Sequence, residues 1–115
     1  MPSYIVEKPW GHEEIWAKTE SYVGKILFIR KGFRLSLQHH QQKQESMRLS
    51  TGKVILFLED ESGKMQEYYL LPGDCVDIPK GKKHRITAIV DSEIIEVSTP
   101  EIDDIIRHED DYGRL

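Results

Sequence analysis

The sequence predicts an all-β fold, a double-sheet jelly roll, and three observations lead there. Short strand-like runs recur along its 115 residues, glycine and proline punctuate them, and no long helical period interrupts the series. The runs at 13–17 and 22–30 lead to Lys31-Gly32, and a run at 34–40 follows. The run at 46–50 stops at Thr51-Gly52, and that at 53–59 stops before Glu61-Ser62-Gly63. The run at 65–71 meets Pro72-Gly73-Asp74, and that at 75–78 meets Pro79-Lys80-Gly81. Runs at 84–89 and 93–98 complete the series. Among closed antiparallel folds, the double-sheet jelly roll encloses a ligand cavity in a chain this short. One helix signal stands at the end. Ser98 or Thr99 can cap, Pro100 suits the first helical position, and Glu101 and Asp103 suit the positive end of the dipole. A short helix over about 100–107 is expected, within an acidic tail that runs to 115.

Length and composition set the class. Hydrophobic residues at 38% and charged ones at 31% are ordinary for a soluble globular protein, and 115 residues suffice for one domain, 1–115, with a modest core. The apolar runs 26–29 and 54–58 are far too short to span a bilayer, and the N-terminus has no signal-peptide pattern. Cys75 is the only cysteine and has no internal disulfide partner. A cytoplasmic protein without a membrane partner is the expectation. The formal charge of −4 comes from the last fifteen residues, which hold six acidic side chains against Arg107 and Arg114. An acidic terminal segment on an otherwise neutral chain argues against nucleic acid as a partner.

The chemistry is concentrated in two motifs. Gln38-x-His40-x4-Glu45 is followed 39 residues later by His84 in PKGKKHRI. One amide oxygen, one carboxylate and two imidazoles are suitable ligands for one divalent ion such as Mn, Fe, Co, Ni or Zn. Gln38 and His40 are two apart, so on a strand they share a face, and His39 points the other way. Alone, this half also suits a polar strand face or a solvated turn. The second half, Gly73-x5-Pro79-x-Gly81-x2-His84, uses a Pro/Gly turn to give His84 a defined direction into its strand.

The two motifs resemble those of the cupin superfamily, G-x5-H-x-H-x3–4-E-x6-G and G-x5-P-x-G-x2-H-x3-N. Gly32, His40, Glu45 and Gly52 fit the first, with Gln38 at the first histidine position. The second fits through His84, with Ala88 in place of the asparagine. Gln-x-His within LSLQ-x-H-x-x-(R/K)-x-E is similar to the cupin domain of type II phosphomannose isomerases. So are KPWGHEEIW, YVGKILFIRKG and VSTPEIDDIIRHEDDYGR. Two positions depart: Ser46-Met47 stands where many of those enzymes have His-Trp, and Lys43 where they often have arginine. The resemblance implies a jelly-roll barrel (double-stranded β-helix) with Gln38, His40, Glu45 and His84 as metal ligands. It implies Lys43 and Lys25 as catalytic or substrate-contacting residues. It also implies a homodimer, which exposed β edges favour.

The implied activity is metal-dependent aldose–ketose isomerisation, interconverting mannose 6-phosphate and fructose 6-phosphate through an enediolate. The proton-transferring base stays open among Lys25, Lys43, Glu96 and a metal-bound hydroxide. Alternatives are a non-catalytic cupin that binds a sugar or metabolite, and a cupin oxygenase, which Gln38 disfavours. Nucleotidyl transfer is not expected, because no glycine-rich nucleotide-binding segment precedes the motifs. Lys80, Lys82, Lys83 and Arg85 read as a solvated turn or as a phosphate attractor at the mouth. His12 and His108 read as surface residues, and Trp10 as a core or interface residue.

Overall fold

The computed structural model describes residues 2–115, and among them every regular element is a strand. One sheet has six strands in the order β1 (Tyr4–Lys8), β2 (Gly11–Lys18), β3 (Val23–Ile29), β10 (Ser92–Ser98), β5 (Glu45–Thr51) and β8 (Cys75–Ile78). The other has five, β11 (Ile106–Glu109), β4 (Leu37–His39), β9 (His84–Ala88), β6 (Val54–Glu59) and β7 (Met65–Leu70). All pairings between named strands are antiparallel. The sheets face each other, as the jelly-roll expectation requires.

Period-two alternation positions the interior. Along β10, Ser92, Ile94, Glu96 and Ser98 are buried while Glu93, Ile95 and Val97 are exposed. Ile94 lies between Leu27 of β3 and Leu49 of β5, and Glu96 one step further lies between Lys25 and Met47. On the facing sheet, Leu56 pairs with Ile86 and Leu58 with His84. Along β5, β9 and β10, Leu49, Ile86 and Ile94 thus lie toward one end of the barrel and Glu45, His84 and Glu96 toward the other. The apolar end is closed by Ile29, Val54, Ala88 and Trp10, all buried in one hydrophobic cluster. Trp10 is a core residue.

The turn predictions hold in their geometry. Gly81 takes φ +83°, a left-handed conformation costly for a residue with a Cβ, and its N–H donates to the His40 carbonyl at 2.7 Å. The second motif's turn is therefore bonded to the first motif's histidine. Gly52 takes φ +95°, and a Cβ there would come within 2.2 Å of the Ser92 hydroxyl.

The chain ends differently from the expectation. The helix over about 100–107 does not form; turns lead instead into β11, which pairs with β4. The capping signals are local, and tertiary partners override them. The Asp104 carboxylate accepts from the backbone N–H groups of Gln41, Gln42 and Lys43 at 3.1, 2.6 and 2.9 Å. It therefore caps a distant loop rather than a helix of its own. The acidic tail is tied down as well: Asp111 takes a two-pronged bond from Arg34, Asp110 one from Arg114, and the Tyr112 hydroxyl donates to the Arg34 carbonyl. The strand β1 has no counterpart among the predicted runs, and the run at 34–40 shortens to Leu37–His39 plus a single bridge from Arg34 to Thr87.

Candidate metal centre

Three elements meet at the polar end of the barrel. Glu45 opens β5, His84 opens β9, and His40 follows β4 directly. All three are buried, at 5, 1 and 2% exposure, although each is polar. The His84 Nε2 lies 3.2 Å and the His40 Nε2 3.7 Å from the same Glu45 oxygen, and one ligand atom from each residue falls within 4.8 Å of the others.

The opposite ring nitrogens determine what these atoms are. His40 Nδ1 donates to the Asp104 carbonyl at 2.5 Å and His84 Nδ1 to the Lys82 carbonyl at 2.9 Å. A carbonyl only accepts, so each Nδ1 carries a proton, and the neutral form of each ring presents a bare Nε2 lone pair to the centre. Neither Nε2 nor the Glu45 Oε1 has a hydrogen-bond partner, and all three atoms are buried. Buried acceptors without donors are costly, and three aimed at one point repel. A divalent cation there satisfies all of them, and imidazole with carboxylate suits Mn, Fe, Co, Ni or Zn. The cluster can hold a metal ion.

Gln38 reaches the same cavity from β4, directly across from His84, with its amide oxygen accepting from the Ser36 hydroxyl at 3.0 Å. Lys43 is buried with its ammonium 3.1 Å from the second Glu45 oxygen and 3.6 Å from Glu96. Burial alone would lower the Lys43 pKa, but the charges of Glu96 and Glu45 raise it above the ordinary value. For Glu45, burial pushes upward, yet the His40 and His84 rings, which donate to it when protonated, and the Lys43 charge hold its carboxyl well below the usual range. Glu96 lacks such help. Burial first, then the Glu45 charge, pushes its carboxyl up to about 7 against the pull of Lys43 and Lys25. Lys25 is buried and bonded to Glu13 at 2.9 Å, and Lys8 approaches the same carboxylate at 3.7 Å.

These groups line a cavity of about 320 Å³ whose apolar wall includes Trp10, Leu27, Leu35 and Ile86. The remaining sequence readings sort clearly. His39 points away and stacks on His108, and His12 stacks on Phe28. Arg85 is not part of a solvated turn: it is buried, donating to the Leu35 and Glu109 carbonyls. Glu13, Asp104 and Arg107 were absent from the candidate residues. The alternation Glu13-x-Ile15 in GHEEIW was the one available signal for Glu13.

Two facing antiparallel sheets with a polar, metal-competent cup at one end define a cupin. The chain belongs to the Mannose-6-phosphate isomerase C-terminal family, which it matches over residues 3–110. Mannose-1-phosphate guanylyltransferase ManC of Salmonella typhimurium is 29% identical over 115 residues, covering 96% of this chain and 23% of ManC. The chain thus spans about a quarter of that relative's length. The structure of KdgF from Halomonas sp. superposes with a TM-score of 0.77 at 21% identity, covering 88% of this chain and 91% of KdgF. Oxalate decarboxylase from Bacillus subtilis, studied for its Mn(II) centres, superposes with a TM-score of 0.77 at 16% identity over 91% of this chain and 30% of that one. At these identities the two structures share the fold. No helix is long and apolar enough to cross a membrane among the described residues.

Proposed function

We propose that this cupin is a metal-dependent domain acting on a sugar phosphate, with mannose 6-phosphate and fructose 6-phosphate as the interconverted pair. The observation that supports it most is the convergence of the His40, Glu45 and His84 lone pairs beside the Gln38 amide. These four residues are the proposed ligands. Bound there, a divalent ion would act as a Lewis acid on the carbonyl and hydroxyl oxygens of an open-chain sugar. The family supports the sugar, and the Mn(II) centres of oxalate decarboxylase make manganese a sensible first ion to load.

The side chains divide the remaining work. Lys43 stays a cation between two carboxylates, so it serves to orient an oxygen rather than to take a proton. Lys25 holds Glu13 and sits across the strand pair from Glu96. Glu96, its carboxyl pushed up to about 7 and its Oε2 without a hydrogen bond, is suited to take a proton from one sugar carbon and return it to the next. A cytoplasmic homodimer completes the proposal, with the exposed Ile95 and Val97 of β10 and Trp16 of β2 as the apolar face it would cover. Light scattering of the purified protein checks the dimer.

A second reading has its own support. ManC is named for guanylyl transfer, and this chain matches only a quarter of it, which leaves room for a non-catalytic sugar-binding cupin. One assay separates the two. The protein, loaded in turn with Mn, Zn, Co, Ni and Fe(II), is incubated with mannose 6-phosphate and fructose 6-phosphate is measured. Metal-dependent formation is expected; saturable binding without conversion by any metal form removes the isomerase and leaves the binder.

A further inference from the structure

The basic residues of the cavity wall are almost all committed to acids. Lys8 and Lys25 share Glu13, and Lys43 lies between Glu45 and Glu96. Arg85 and Arg114 are tied to Glu109 and Asp110. Arg107 is different. It lines the same cavity, yet among the described residues it has neither an ion pair nor a hydrogen bond from its side chain, and its Nε is fully buried without a partner. The exposed acid of that wall, Asp103, does not pair with it. A guanidinium with a desolvated, unbonded N–H is costly by itself and suited to an anion.

Its position relates it to the metal cluster. Arg107 stands opposite Gln38 in the β11–β4 ladder, and Gln38 stands opposite His84 in the β4–β9 ladder. Directly opposed residues project from the same face of a sheet. Two strand spacings carry the row about 10 Å from His84 to Arg107 along the cavity wall. A ligand with an oxygen at the metal cluster therefore extends toward the Arg107 fork.

We propose that Arg107 is the anion-binding residue of this cavity, taking the phosphate or carboxylate end of a ligand whose sugar oxygens face His40, Glu45 and His84. The proposal rests on the reading of the site as a sugar-phosphate site for its sugar end, and it leaves Lys43 to orient a sugar oxygen. Lys43 is already engaged by two carboxylates, whereas the Arg107 fork is free for paired bonds to planar or tetrahedral oxyanions.

The test is calorimetric, with the metal-loaded full chain titrated with mannose 6-phosphate, mannose and glucuronate. Wild type is expected to bind at least one of the two anions more tightly than mannose. Arg107→Ala is expected to lose about ten- to a hundredfold in affinity for that anion, with mannose affinity, metal content and melting temperature unchanged. Arg107→Lys keeps the charge without the fork and is expected to fall between them. A loss confined to mannose 6-phosphate assigns phosphate as the ligand's anion, and one confined to glucuronate assigns carboxylate. The proposal is overturned if Arg107→Ala binds the anions like wild type, if it loses mannose equally, or if wild type prefers neither anion. Turnover keeps the two proposals distinct. Isomerisation with unchanged anion affinity in Arg107→Ala removes the anion site alone, while Arg107-dependent binding without turnover removes the isomerase alone.

Discussion

The two ends of the barrel are built from the same strands and have opposite interiors. On β10, Ile94 faces Leu27 and Leu49, whereas Glu96, two residues on, faces Lys25. On β9, Ala88 and Ile86 sit in the apolar cluster, whereas His84 opens the strand in the polar cup. Apolar packing at one end needs no directional partners, and burial there is favourable by itself. At the other end every charge needs a counter-charge, and the acceptors that converge at the centre have no hydrogen-bond donor. The packed end supplies the rigidity that holds the three converging acceptors together.

The division of labour can be broken at either end. The largest effect is expected from His84→Ala, which should lower metal affinity by several hundredfold or more while the barrel still folds. Metal content after dialysis, read beside the circular dichroism spectrum, checks it; retention of a full equivalent would remove His84 from the ligand set. At the packed end, Ile94→Ala should cost about 2–5 kcal/mol in urea unfolding. The folded fraction should keep its metal. A metal loss there as large as in His84→Ala would show that the two ends are not separable.

Smaller effects sharpen the contrast. Lys25→Met leaves Glu13 with only the partly exposed Lys8 and should destabilise by about 3 kcal/mol, the low end for breaking a buried pair. Adding Glu13→Leu should recover most of that loss, since an apolar pair of similar volume then continues the packed end into the cup. If the double variant is no more stable than the single one, the pair is not the cause. The smallest effect is set by pH at the tail. The bond from Arg114, partly offset by burial, lowers the Asp110 carboxyl to about 2 from its ordinary 3.8. A depressed carboxyl contributes stability that is present above its unfolded value and disappears as pH falls through the folded one. The urea midpoint should therefore drop between about pH 4 and pH 2, and less so in Asp110→Asn. An identical acid profile in that variant would dissociate Asp110 from it.

Much of the site was legible because its signals are local. The Gln38–Glu45 spacing and the Pro79–Gly81 turn announce direction and ligand type within a few residues, and the structure brings His40, Glu45 and His84 together. The C-terminal segment was illegible for the opposite reason. Thr99, Pro100 and Glu101 offered a local helix start, while the groups that decide the outcome lie 61 to 64 residues from Asp104. Arg107 is not legible in the sequence, because only the β11 pairing, which a helix over 100–107 excludes, turns it toward the cavity.

The clasp between Asp104 and the loop at 41–43 also fixes a direction inside the cup. His40 is oriented by the Asp104 carbonyl, 64 residues away in sequence, and by no nearer group on that nitrogen. The segment beyond 100 is therefore a constraint on the His40 ring as well as a cover for the barrel. Without that carbonyl the ring would be free to turn, and its Nε2 would no longer be aimed at the oxygen it shares with His84.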